Sequence, residues 1–113
     1  MKRHTLLATI LLVLCMCAIH AQNVTVLTSR QGLSNSCIRK IYEDKRHNVW
    51  ITTQNGLNRY DGIKFNVYEH VEGDSMSLIH DETTCVLDYE PGRVFVGTGQ
   101  GAQIYDYATD KFF

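Results

Sequence analysis

Nothing in the 113-residue sequence marks it for nucleic acid. Lys and Arg number 11 against 12 Asp and Glu, and they form no basic patch or stripe. Beyond the N-terminus no stretch keeps a helical period for more than a turn or two, which excludes a helical bundle. His47, His70 and His80 are scattered through polar loops with no i, i+4 spacing, and no DxDxDG loop occurs. Asp81 and Glu82 read as a solvated edge rather than a calcium site. Ser34 and Ser36 sit in no nucleophile elbow, and no two carboxylates stand apart as an acid and base pair. No catalytic, metal or cofactor residue is therefore expected, and the chain does not read as an enzyme.

A long apolar run is also missing. Residues 6–19 (LLATILLVLCMCAI) form the only candidate, shorter than the roughly 18 residues expected of a spanning helix. A basic start, Lys2-Arg3-His4, precedes it, and Ala21 offers a small residue for cleavage. This is the layout of a secretory signal peptide over 1–21. Leu14 and Met16 precede Cys15 and Cys17, which argues against lipid attachment. The mature chain, 22–113, carries 9 basic and 12 acidic residues, a net charge of about −3. Its expected compartment is the periplasm, with no membrane span. Export exposes Cys37 and Cys85 to oxidation. A bridge between them is possible, but they are not equivalent in the repeat described next. They read as two separate strand cysteines.

What the sequence does contain is an internal repeat with an offset of 45 residues. Residues 49–62 read VWITTQNGLNRYDG and residues 94–106 read VFVGTGQGAQIYD. Val49 matches Val94, Trp50 matches Phe95, Thr53 matches Thr98, Gly56 matches Gly101 and Tyr60 matches Tyr105. The offset extends upstream, where Leu33 matches Leu78 and Ile41 matches Val86. Short strands and Gly turns recurring every 40–50 residues predict β-propeller blades, four-stranded antiparallel sheets that cannot bury their faces alone.

The predicted strands of blade one (33–70) are 38–42, 49–53, 57–60 and 65–68. Asn55-Gly56 is expected to supply the left-handed positions of a hairpin turn. In blade two (78–113) strands are expected over 83–87, 93–96 and 102–105, with Phe112 and Phe113 starting a fourth. A β-branched segment over 24–28 is expected to be an orphan outer strand, of the kind that closes a ring. The pattern is all-β: about two blades of an incomplete propeller (22–113) after a signal helix, the second blade cut short.

Other features have plain structural readings. Gly97-Thr98-Gly99-Gln100-Gly101 precedes a predicted strand, not the helix that a phosphate loop requires. Trp50, Phe95, Tyr60 and Tyr105 recur at fixed positions and are expected to pack blade on blade rather than stack on sugars. Asp61 and Asp106 read as turn residues. The sequon Asn23-Val24-Thr25 reads as chance. Ligand contacts are expected in loops that do not repeat: Lys45-Arg46-His47, the connection 69–80, and Tyr107-Ala108-Thr109.

Residues 32–70 strongly resemble the two-component regulator propeller repeat. The matching elements are GLS at 32–34, the Ile38, Ile41, Asp44 spacing, VWITT at 49–53 and GLNRYDG at 56–62. Blade two departs from that pattern: Phe95 replaces Trp, and Ala102-Gln103-Ile104 replaces Leu-Asn-Arg. The resemblance implies the N-terminal part of the periplasmic sensor of a hybrid histidine kinase, as in gut Bacteroidetes. It also implies an oligosaccharide ligand, further blades, and kinase and DNA-binding domains elsewhere. The alternative is an exported interaction protein whose two-blade protomers assemble with one another.

Overall fold

The structure is a computed structural model that describes residues 2–17 and 22–113. Helix α1 (Lys2–Cys17) carries residues 6–17 of the apolar run. The expected cleavage point at Ala21 lies outside the described residues. No helix among the described residues is long and apolar enough to cross a membrane.

Two four-stranded antiparallel sheets follow. The first contains β1 (Ile38–Glu43), β2 (Val49–Thr53), β3 (Leu57–Tyr60) and β4 (Phe65–Tyr68), in that order. The second contains β5 (Thr83–Glu90), β6 (Arg93–Thr98), β7 (Gly101–Asp106) and β8 (Lys111–Phe112). These are the two expected blades. The strands of blade two run longer than expected, because their edge residues find ladder partners: Thr98 pairs with Gly101 and Asp106 with Lys111. The β7–β8 ladder continues past β8, with Phe113 and Ile104 exchanging both backbone bonds at 2.9 Å.

The 45-residue offset is visible atom by atom. Gln54 N–H donates to Cys37 C=O at 3.1 Å, and Gly99 N–H donates to Glu82 C=O at 2.9 Å. Ser34 N–H donates to Asn58 Oδ1 at 2.9 Å, and Ile79 N–H donates to Gln103 Oε1 at 2.8 Å. Each blade also breaks register at the same place, between Ile38 and Lys40 in one and Thr83 and Cys85 in the other. A buried amide at each site ties the entering loop to its own sheet, as buried backbone donors require.

Two expectations need correction. Residues 22–28 form no strand and pair with neither sheet; Val24 and Val26 are exposed. β-propensity alone does not hold a strand, since its backbone groups need a ladder partner. The segment instead leads into a short 3-10 turn, Ser29–Gln31, capped by Thr28. The hairpin turn also differs. Gly56 has a positive φ of 103° and Asn55 does not. The Thr53 hydroxyl closes this turn instead, accepting Asn55 N–H at 3.1 Å and donating to Gly56 C=O at 2.8 Å. Thr98 does the same for Gln100 and Gly101.

The core lies between the blades. Strand alternation sends Trp50, Leu57 and Tyr68 to one face of blade one. Val86, Val94, Val96 and Tyr105 meet them from blade two, with Leu78 and Phe112 beside them. Trp50 and Tyr105 are fully buried, edge to face at 5.1 Å between ring centroids. Offset and edge-to-face pairs of this kind add about 0.5–1.5 kcal/mol beyond their buried area.

Candidate binding groove at the blade junction

Arg59 sits among the aromatic rings of the junction. Strand β3 points Arg59 across from Trp50, its direct cross-strand partner. The guanidinium carbon lies 5.9 Å from the ring centroid of Trp50, 5.8 Å from Tyr68, 5.6 Å from Tyr105 and 5.1 Å from Tyr107. Its Nη1 donates to the Tyr105 hydroxyl at 3.1 Å. Burial works against its charge, but the tyrosine oxygens around it outweigh that and raise its pKa. Its Nε is buried and has no hydrogen-bond partner among the described residues.

Two carboxylates flank this cation. Asp44 accepts Trp50 Nε1–H at 2.8 Å and the hydroxyl of Tyr107. Asp110 accepts the hydroxyls of Tyr68, at 2.8 Å, and of Tyr105. Burial pushes the Asp110 carboxyl up, yet the Tyr105 and Tyr68 hydrogen bonds bring it below its ordinary value. Burial and the bond to Asp110 push the Tyr105 phenol up to about 12.

On the outer edge of the junction this network lines a groove of about 310 Å³. Tyr68 and Glu69 line it from blade one, Asp110 and Lys111 from blade two, and Asp74 and Ser77 from the connection between the blades. Hydroxyl, carboxylate and ammonium groups thus alternate with the apolar faces of Val67, Met76 and Phe112. A second opening, about 40 Å³, lies between Arg46, Asp88, Arg93 and Tyr107. Arg46 caps the Tyr107 ring at 4.5 Å. That opening admits a group of about the size of a water.

The three loop segments expected to carry ligand contacts therefore separate. Lys45, Arg46 and Tyr107 meet at the small opening, while the 69–80 connection lines the large groove. Thr109 is spent on Asp106, bonding its carboxylate through both N–H and hydroxyl. His47 bonds Glu43 at 2.9 Å, and His80 accepts Glu82 N–H at 3.2 Å. His70 holds the connection in place: its Nδ1 lies 2.8 Å from Leu78 C=O. That carbonyl, together with Glu72, raises its pKa. Asp61 accepts the N–H groups of Ile63 and Lys64, each at 2.9 Å, and Asp106 pairs with Arg93 at 3.0 Å.

Among the four repeat aromatics, Trp50 and Tyr105 pack between the blades, whereas Phe95 and Tyr60 are half-buried on outward faces. Gly97–Gly101 is the β6–β7 hairpin, with no helix behind it. Among the described residues no cluster of three or more His, Cys, Asp or Glu could hold a metal, and Cys15, Cys37 and Cys85 are free thiols. Cys85 lies in β5; Cys37 falls one residue before β1, not in a strand. Sequence reasoning did not single out Arg59 or Asp110. Arg59 was visible within the GLNRYDG motif, but Asp110 corresponds to Phe65 and carries no repeat signal.

Comparison with known proteins agrees with this architecture. Residues 32–55 match the family described as two component regulator propeller. The structure is similar to the crystal structure of the extracellular domain of the hybrid two component system BT3049 from B. thetaiotaomicron. The TM-score is 0.69 and the identity 31%, over 79% of this chain and 13% of that one. A curated relative, Histidine kinase P4 from Formosa agariphila, is 39% identical over 51 residues, which is 45% of this chain and 4% of that protein. The chain thus spans a small part of the length of each relative.

Proposed function

We infer that this chain, whose first blade carries a two component regulator propeller repeat, supplies ligand-sensing blades to the extracytoplasmic propeller of a hybrid two-component histidine kinase. The ligand of this reading is an oligosaccharide, and the compartment is the periplasm, reached through the signal peptide at 1–21. The outer groove carries the proposal. Its volume of about 310 Å³ falls at the lower end of small-molecule sites, enough for about one sugar unit. Its walls offer what a sugar needs: hydrogen-bonding groups at Glu69, Ser77 and Lys111, and apolar surface at Tyr68 and Met76.

Phosphotransfer has no place in this reading of the chain, because its two sheets resemble the extracellular domain of a hybrid two component system rather than a kinase domain. Sensing would proceed by binding at a junction whose two sides belong to different blades, so a bound sugar would change how the blades are held together. Isothermal titration of the chain against a panel of oligosaccharides tests the proposal. Saturable heat with at least one of them supports it, and no saturable heat across the panel overturns it.

A further inference from the structure

Asn55-Gly56 is the only Asn-Gly pair in the sequence, and it lies in the turn between β2 and β3. The pair has a chemistry of its own. Glycine puts no side chain in the way, so its backbone nitrogen can attack the Asn side-chain carbonyl carbon and close a five-membered ring. Asn55 is exposed, so water reaches its amide, while Gly56 is buried. Blade two supplies an internal control, because Gln100-Gly101 fills the same turn under the 45-residue offset. The longer Gln side chain has to close a six-membered ring, a far slower reaction.

The attacking nitrogen is held by the other blade. Gly56 N–H donates at 2.6 Å to the C=O of Asp81, in the loop that enters blade two. The Gly56 C=O lies 2.8 Å from the Thr53 hydroxyl and 3.1 Å from the Thr83 hydroxyl. The surroundings are also tight: a Cβ on Gly56 would lie 3.2 Å from Ser34 Oγ and 3.3 Å from Tyr68 C=O. The ring closes only when the nitrogen leaves Asp81 and the peptide rotates toward the Asn55 side chain. The first of these movements parts the turn from blade two, so a local opening must come before the chemistry.

We propose that Asn55 is a site of spontaneous deamidation whose rate is set by how often the junction between the blades opens. The Gly56 nitrogen loses its proton to hydroxide and bonds to Asn55 Cγ, and the side-chain nitrogen leaves as ammonia. Water then opens the ring to aspartate or isoaspartate, so the net change is one water taken up and one ammonia released. Either product puts a negative charge in the turn, and isoaspartate also adds a backbone methylene to it. The bonds of Thr53 and Thr83 to this turn depend on its spacing, so a junction that has reacted stays weakened. The proposal goes beyond the sensor reading and holds whichever ligand the groove takes.

The test incubates the full chain in mildly alkaline buffer with mild detergent, with and without guanidinium chloride. Tryptic peptides are then followed by mass spectrometry for the mass gained when the amide becomes an acid, and fragmentation separates Asn55 from Asn48 and Asn58. Asn55 should react at least about tenfold more slowly in the native chain than in the denatured one, and Gln100 should stay unmodified in both. Thr83→Val, with the emission of the single tryptophan (Trp50) unchanged, should speed the native reaction about fivefold or more, the counterpart of the bond lost. Equal rates in native and denatured chains overturn the proposal. So does a denatured chain in which Asn55 reacts no faster than Asn48, or a Thr83→Val chain no faster than its parent.

Discussion

The hydroxyl of Thr83, at the start of β5, accepts the backbone N–H of Thr53, at the end of β2, at 3.0 Å. Both residues are fully buried. The same hydroxyl lies 3.1 Å from Gly56 C=O, toward which it can donate. One side chain thus ties the second blade to the turn of the first. Thr83→Val keeps the shape and removes the bond, leaving a buried N–H unpaired. Chemical denaturation should show a loss of about 1–3 kcal/mol.

Trp50 joins the blades through its buried area, and its bond to Asp44 fixes its ring within blade one. Trp50→Ala should destabilise the fold by about 3–5 kcal/mol. Trp50→Phe should cost less, since it keeps an aromatic ring in the core and loses only the bond to Asp44 and part of the area. Arg59→Lys should cost about 0.5–2 kcal/mol, because an ammonium cannot spread over four rings as a guanidinium does. Thermal melts of the three variants give the ranking, and an Arg59→Lys protein as stable as the parent would contradict the role given to that cation.

Acid should loosen the junction and its turns. Hydrogen bonds from Arg93 and Thr109 hold the Asp106 carboxyl below its ordinary value, and backbone N–H groups of Lys64 and Ile63 do the same for Asp61. Asp110 is also lowered. A carboxylate with a depressed folded pKa contributes stability that is present above its unfolded value, about 3.9, and lost as the pH falls through the folded value. Midpoints of denaturation should therefore fall below about pH 4. Asp106→Asn should flatten that part of the profile.

His70 acts in the other direction. Its pKa is raised from 6.5, first by the Leu78 carbonyl and then by Glu72. Its contribution is complete below 6.5 and is lost as the pH rises through the higher folded value. NMR titration of its ring protons should give a midpoint above 6.5, and His70→Gln should remove this dependence.

Alkali should reach the tyrosines late. Tyr105 is raised to about 12 by burial and its bond to Asp110, and Tyr42, Tyr68 and Tyr107 are raised as well. Their unfolded counterparts ionise near 10, so stability declines as the pH rises above that value. Tyrosinate absorbance should lag at first and then rise cooperatively with unfolding. Independent titration of all the tyrosines near pH 10 would contradict the packing described.

The blades were legible in the sequence because their strands repeat. Residues 49–53, 57–60 and 65–68 begin and end where expected, since Gly56 and the Asp61 turn punctuate them. Residues 24–28 misled because β-branched composition is local, whereas a strand depends on a partner elsewhere in the chain. The groove was partly visible: the 69–80 connection stood out as a segment that does not repeat. Its blade-two lining, Asp110 and Lys111, did not, because its role depends on contacts more than 40 residues away in sequence, such as Tyr68 with Asp110.

Trp50 is stacked on Tyr68 at 6.0 Å, and Tyr68 lines the outer groove, so tryptophan emission reports on the proposed site. Titration of the chain with oligosaccharides, followed at the tryptophan band, tests the sensing account most directly. The account predicts a saturable change with at least one oligosaccharide, and about tenfold weaker binding after Glu69→Gln or Lys111→Ala. A flat trace across the panel, or the same affinity in both variants, would contradict it.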